Sequence, residues 1–172
     1  MNQDFSKWIR NIPDFPEKGI LFRDITPALL DPVAFRNICD SLVERYESRD
    51  IDKVAGIEAR GFFFASVLAY RLHKGMIPLR KPGKLPWTTV SRSYSLEYGK
   101  ASVEMHEDAV SEGERVLLVD DLLATGGTAA AAAELIESMG GVIDEIAFVI
   151  ELSDLGGKEK LGARPSFSLL TY

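Results

Sequence analysis

Val116-Leu117-Leu118-Val119-Asp120-Asp121-Leu122-Leu123-Ala124-Thr125-Gly126-Gly127-Thr128 decides the reading of this chain. It is an apolar run, two adjacent acids, a stretch of small residues, and the start of a helix. The run suits a strand buried on both faces. It places Asp120 and Asp121 at the strand's carboxyl end, where open α/β sheets bind ligands. Ala124, Thr125, Gly126, Gly127 and Thr128 carry little bulk, so backbone N–H groups can close around a phosphate. The helix that follows adds free N–H groups and a positive dipole end. Adjacent carboxylates repel phosphate but suit paired hydroxyls, and a ribose 5-phosphate carries a phosphate and a cis-diol. A nucleotide P-loop would need a lysine after Gly127, and a dinucleotide fingerprint would need G-x-G-x-x-G; the chain has neither here. The plainer alternative makes the acids a strand-end cap and the glycines a turn.

Outward from this stretch, further short apolar runs at 54–57, 76–79 and 146–150 read as strands. Between them lie helical patterns. Asp31 before Pro32 is an N-cap followed by proline at the first helical position. Ala34, Ile38, Leu42 and Tyr46 then recur every four residues as one apolar stripe. Residues 128–139 are rich in alanine, a strong helix former, and stop at Gly140-Gly141. Strands alternating with helices predict an α/β fold with a mostly parallel central sheet flanked by helices. Residues 80–99 break the alternation with two prolines, two lysines and few aliphatics; a connection of that length is usually functional. Residues 101–106 alternate as a half-exposed strand would.

The chain has 172 residues, 46% of them hydrophobic, and a net charge of -6. A single domain over 1–172 is the expectation. The acidic balance argues against a nucleic-acid partner. Cys39 is the lone cysteine, so no internal disulfide is expected, in keeping with a reducing, cytoplasmic setting. The polar start of the chain has no apolar signal core, and no apolar run reaches the ~18 residues that span a bilayer, so no membrane partner is expected. His73 and His106 stand apart from any ligand-spaced cluster, Cys39 reads as a small core residue, and there is no G-x-S-x-G nucleophile turn.

The stretch 116–128 resembles the signature of the type I phosphoribosyltransferases, and the chain from about 12 to 170 resembles their adenine-using branch. The resemblance rests also on Asp14-Phe15-Pro16, Gly19-Ile20-Leu21-Phe22-Arg23-Asp24-Ile25-Thr26, Glu58-Ala59-Arg60-Gly61-Phe62, Arg80-Lys81-Pro82-Gly83-Lys84-Leu85-Pro86 and Tyr94-Ser95-Leu96-Glu97-Tyr98-Gly99. It implies the type I phosphoribosyltransferase fold, with a small hood over about 12–27 and a mobile lid over about 80–105. It implies that Asp120 and Asp121 hold the ribose hydroxyls, and that Ala124, Thr125, Gly126, Gly127 and Thr128 hold the 5′-phosphate. By the same resemblance Ala59 and Arg60 face the pyrophosphate, joined by Arg80, Lys81 and Lys84. Leu21, Phe22 and Arg23 form the hood over adenine, with Phe22 stacking on the base and the backbone of its neighbours reading its edge. Glu97 would act during chemistry with Tyr98 packed beside it.

The implied reaction joins adenine to phosphoribosyl pyrophosphate, giving AMP and pyrophosphate for purine salvage, with Mg²⁺ held mainly by substrate oxygens rather than by a protein cage. A homodimer is implied as well. Two other readings remain at this point. One is transfer to another purine base. The other is a regulator that only senses phosphoribosyl pyrophosphate, which would show a basic DNA-binding domain or a lost lid.

Overall fold

The computed structural model describes residues 4–95 and 100–172. Its central sheet has five strands, all parallel. They are β3 (Lys53–Ile57), β4 (Gly75–Leu79), β7 (Arg115–Leu123), β8 (Val142–Glu151) and β9 (Ser166–Thr171), in the order β4-β3-β7-β8-β9. β7 is therefore central, as its apolar composition demands. Side chains alternate across a strand, so Leu117 and Val119 enter the core on one face while Val116 and Leu118 enter the core on the other. All four are fully buried, each burial favouring the fold by about 1.5–3 kcal/mol.

Helices cover both faces. α1 (Thr26–Leu30), α2 (Pro32–Tyr46) and α3 (Gly61–Arg71) supply one core, and α4 (Gly127–Ser138) supplies the other. Asp31 caps α2 as expected, its Oδ1 accepting from the N–H groups of Val33 and Ala34 at 2.9 Å each. The stripe Ala34, Ile38, Leu42 and Tyr46 is buried along its whole length, with Cys39 beside it. Burial pushes the Cys39 thiol up to about 12, in keeping with a residue that packs in the core. α4 ends as its glycines predict: Gly140 sits at φ 89°, and the N–H of Gly141 donates to Ile136. Its alanines let it lie close to the sheet.

Two small hairpins stand off this body. β1 (Arg10–Pro13) pairs with β2 (Leu21–Asp24), and β5 (Thr89–Ser95) pairs with β6 (Lys100–His106), both antiparallel. The second places a strand over 89–95, inside the stretch read from sequence as one long connection. Within it, Val90 and Tyr94 pack on the core from one face of β5 while Ser91, Arg92 and Ser93 stay exposed, so β5 completes the half-exposed strand seen in 101–106. β7 likewise runs past Val119 to Leu123, so the two acids lie inside the strand and not after it.

At the amino end of β8, opposite the acids, Glu145 receives the Arg45 fork at 2.7 and 2.9 Å and the Tyr46 hydroxyl at 2.6 Å. Arg49 adds an ion pair with Asp144 at 2.9 Å. Burial pushes the Glu145 carboxyl up, but the Arg45 and Tyr46 hydrogen bonds and the arginine charges outweigh it and hold the group below its ordinary value. The stability this adds is present above the unfolded-state value and is lost as pH falls through the folded one.

Candidate active site

Strand β7 delivers Asp120 and Asp121 to the carboxyl end of the sheet, on opposite sides of the strand. The N–H of Asp121 donates to Asp120 Oδ1 at 2.9 Å. Asp121 is 5% exposed, and its Oδ2 is 2.8 Å from Arg60 Nε. Burial and the neighbouring charge of Asp121 push the Asp120 carboxyl well above its ordinary value. Burial raises Asp121 too, and Arg60 is the main influence pulling it back. The pair is thus two carboxyl groups held in a tight space against one guanidinium. Such a pair accepts hydrogen bonds from hydroxyls well, because donors relieve the charge that burial penalises.

Arg60 comes from the loop between β3 and α3, after a cis peptide at Glu58–Ala59. Gly61 opens α3 against β7: a Cβ there would lie 2.8 Å from the Val119 carbonyl and 3.0 Å from Asp120 Oδ1. Only glycine lets the arginine loop sit this close to the acids. Glu58 turns the other way. It accepts from the Lys81 N–H at 3.0 Å and from Arg80 Nε at 3.1 Å, and these donors hold its carboxyl below the ordinary range. Arg80 also donates to the Lys84 carbonyl at 2.9 Å. Arg80 therefore organises the loop 80–84, while the Lys81 and Lys84 side chains are exposed.

Beyond Leu123 the chain forms a cradle of about 80 Å³ lined by Asp120, Leu122 and residues 123–129. Gly126, at φ 76°, is the N-cap of α4 and supplies no side-chain cap. The first intrahelical bond is Ala130 N–H to Gly126 carbonyl at 2.9 Å, so the N–H groups of Gly127, Thr128 and Ala129 have no helical acceptor. A helix end left open in a concave loop has the geometry that suits an anion. The back wall is Gly157, the first residue of α5 (Gly157–Leu161). A Cβ on Gly157 would lie 2.2 Å from the Ala124 carbonyl, and one on Gly126 would lie 2.3 Å from the Gly157 carbonyl. The Thr128 hydroxyl donates to the Tyr94 hydroxyl at 3.1 Å.

The β1–β2 hairpin brings Phe22 to the same end of the sheet, half-buried, with the Arg60 guanidinium 5.7 Å from its ring. Phe15 meets Phe22 edge-on at 5.1 Å. Leu21 is exposed. The Arg23 side chain is engaged with Asn11 and lies over the Tyr172 ring at 3.9 Å, leaving its backbone for any contact with a base. The structure thus gathers Asp120, Asp121, Arg60, Phe22 and the cradle 124–128 at one end of the sheet. Glu97 and Tyr98 lie outside the described residues. Among the described residues, no three His, Cys, Asp or Glu side chains converge to hold a metal ion. Gly157 takes part in this region without any signal in the sequence pattern around it, while Glu58 and Tyr94 stand in the quoted stretches 58–62 and 94–99 with no role read for them there.

A five-stranded parallel sheet with an open helix end after two acids on its central strand is an arrangement suited to phosphorylated sugars. Residues 28–161 match the phosphoribosyl transferase domain family, and the chain belongs to that family. Its place within it is among the adenine phosphoribosyltransferases. The chain is 60% identical over 168 residues to the adenine phosphoribosyltransferase of Chlorobium luteolum, covering 95% of each chain. It superposes on the crystal structure of the adenine phosphoribosyltransferase of Thermoanaerobacter pseudethanolicus with a TM-score of 0.96 and 52% identity over 100% of both chains. The Saccharomyces cerevisiae enzyme, solved with D-2,5-dideoxy-2,5-imino-altritol 1,6-bisphosphate and adenine, superposes at 0.92 with 40% identity over 98% of both chains.

Proposed function

We infer that this chain joins adenine to the ribose 5-phosphate of phosphoribosyl pyrophosphate, releasing pyrophosphate and forming AMP in purine salvage. The observation that carries the reading is the open amino end of α4 beside the Asp120–Asp121 pair. It offers the two ends of a ribose 5-phosphate their separate partners. In this reading the cradle 124–128 takes the 5′-phosphate and the two carboxylates take the 2′- and 3′-hydroxyls. Adenine lies under the hood against Phe22. A bond then forms from adenine nitrogen to the anomeric carbon as the bond to pyrophosphate breaks, with inversion. Arg60, with Lys81 and Lys84 of the loop that Arg80 organises, stands where negative charge grows on the leaving group; fixed cations stabilise such charge without reorganising. Mg²⁺ would be carried on substrate oxygens and would supply further charge neutralisation there. The carboxylates of Asp120 and Asp121 are hard oxygen donors that suit such a complex. Glu97 is assigned to the chemical step and Tyr98 to packing beside it.

Two further assignments go with this. A homodimer is supported by an exposed apolar face around α1 to α3, where Leu30 is 75%, Val33 50%, Phe63 47% and Tyr70 79% exposed. Light scattering should report twice the 19.0 kDa chain mass; a fully active species of single mass would overturn it. A cytoplasmic location is supported by the unpaired, buried Cys39. Among the described residues no helix is long and apolar enough to cross a membrane.

With Mg²⁺ and phosphoribosyl pyrophosphate, the protein should convert labelled adenine to AMP and use guanine, hypoxanthine and xanthine poorly. Preference for any 6-oxopurine would overturn the adenine assignment, and binding without turnover of any base would favour a sensor. Gly157 gives a second expected result. Gly157→Ala drives a methyl into the Ala124 carbonyl and displaces the cradle. The KM for phosphoribosyl pyrophosphate should rise ~5–20-fold, equivalent to ~1–1.8 kcal/mol, with the KM for adenine nearly unchanged. An unaltered KM would show that the cradle does not need this wall.

A further inference from the structure

We propose that Tyr94 is a positioning residue that ties the lid hairpin to the phosphate cradle through Thr128, so that a 5′-phosphate tightens the base of the lid. The inference rests on the reading of residues 124–128 as a phosphate cradle. Tyr94 lies near the end of β5, opposite Ala101 of β6. Its ring packs on the core, and its hydroxyl meets the Thr128 hydroxyl at 3.1 Å. Thr128 is the second residue of α4 and lines the cradle. A small cavity of about 40 Å³ runs from Thr128 past Tyr94 to Glu58, Arg80 and Lys81. On its other side Tyr94 borders an open cleft of about 680 Å³ formed with Arg92, Glu134 and Lys160. Tyr94 thus lines both the small cavity that Thr128 shares and that cleft.

A threonine hydroxyl has one proton and two lone pairs, and a phenol hydroxyl both donates and accepts. Without an anion, Thr128 gives its proton to Tyr94. With a phosphate oxygen in the cradle, Thr128 turns its proton to the anion. Tyr94 then turns its own O–H onto the freed Thr128 lone pair. The chain becomes Tyr94 O–H to Thr128 O–H to phosphate, each bond polarising the next. No bond is lost, and the one reaching the charged oxygen is the stronger kind. Because β5 leads directly into residues 96–99, the anchor lies three residues before Glu97. Occupancy of the cradle is therefore felt at the stem of the segment assigned to the chemical step.

The test is Tyr94→Phe, which removes only the hydroxyl and keeps the ring packing. The KM for phosphoribosyl pyrophosphate and the inhibition constant of AMP should both rise ~3–10-fold, while the KM for adenine at saturating phosphoribosyl pyrophosphate stays within twofold. In a Thr128→Val background the same change should cost nothing more, because the relay is already broken. Thr128→Ser, which keeps the hydroxyl, should restore the sensitivity to Tyr94→Phe. Unaltered AMP inhibition in Tyr94→Phe, additive losses in the double variant, or an equal loss for adenine would each overturn the relay. Wild-type protein that neither turns over nor binds AMP would overturn the cradle reading itself, and the relay with it.

Discussion

Asp120→Asn is expected to weaken phosphoribosyl pyrophosphate binding or turnover by ~10–1000-fold, the scale of ~1.4–4 kcal/mol, while raising the melting temperature at neutral pH. Both effects have one source. Burial and the charge of Asp121 push the Asp120 carboxyl well above its ordinary value. The folded protein therefore holds a proton more tightly than the unfolded chain does, and at neutral pH a carboxyl at this place costs stability. Stability should rise as pH falls through the folded-state value, the reverse of the Glu145 cluster. An amide has nearly the same shape and no charge, so Asn removes that cost. It also loses one acceptor for a ribose hydroxyl, and the binding falls. Asp121→Asn should lose binding on the same scale without the gain in stability, since it strips Arg60 of its partner at 2.8 Å. In the wild type, the KM for phosphoribosyl pyrophosphate should climb on the acid side, because the diol needs both carboxylates ionised. Thermal melts and binding titrations across pH on the two variants decide this. A variant that binds normally leaves the pair without the assigned role, and one that unfolds makes it a structural cap.

Much of the fold could be read because its signals are local. A cap such as Asp31, a stripe such as Ala34 to Tyr46, and a buried run such as Val116 to Val119 state their structure within a few residues. Helix α3 did not. Phe62, Phe63 and Phe64 point around the whole helix, so no stripe marks a face, although only Phe64 of the three is fully buried. Strand β9 sits at the sheet edge and is only partly buried, so Ser166 and Ser168 interrupt the apolar run that marks its neighbours. Strand β5 was hidden by exposed Ser91, Arg92 and Ser93, which read as loop until β6 pairs with them. The small residues of 124–128 announced a cradle, but nothing near residue 157 announced its wall. Gly157 is needed because Ala124 lies against it, and a requirement set across more than thirty residues leaves no mark in local sequence. Glu58 stands in a quoted motif, but its contacts could not be read there, because its partners Arg80 and Lys81 belong to another loop.

Arg60→Ala and Glu97→Gln are expected to fail in different ways, and the difference separates holding the substrate from reacting it. Arg60 pairs with Asp121 and also reaches toward Phe22, so it stands between the acid pair and the β1–β2 hairpin. Its loss removes a cation that would touch pyrophosphate in the ground and transition states alike. It also removes the main influence lowering the Asp121 carboxyl, which would then rise further and accept hydroxyl hydrogen bonds poorly. The dissociation constant for phosphoribosyl pyrophosphate should therefore rise ~100-fold, about 2.7 kcal/mol, within the 2–5 kcal/mol range for breaking a buried charge pair. Glu97 is assigned a role in the transition state only, through proton handling on the purine or charge near the sugar. An interaction confined to the transition state changes turnover and spares binding. Glu97→Gln should lower kcat by ~10²–10⁴-fold, as loss of a positioned acid–base group does, with the dissociation constant nearly unchanged. Equilibrium binding and single-turnover rates on the two variants, measured side by side, give the answer. If Glu97→Gln loses affinity while its bound complex reacts at the wild-type rate, Glu97 is a clamp on the substrate and the chemical step belongs to other groups.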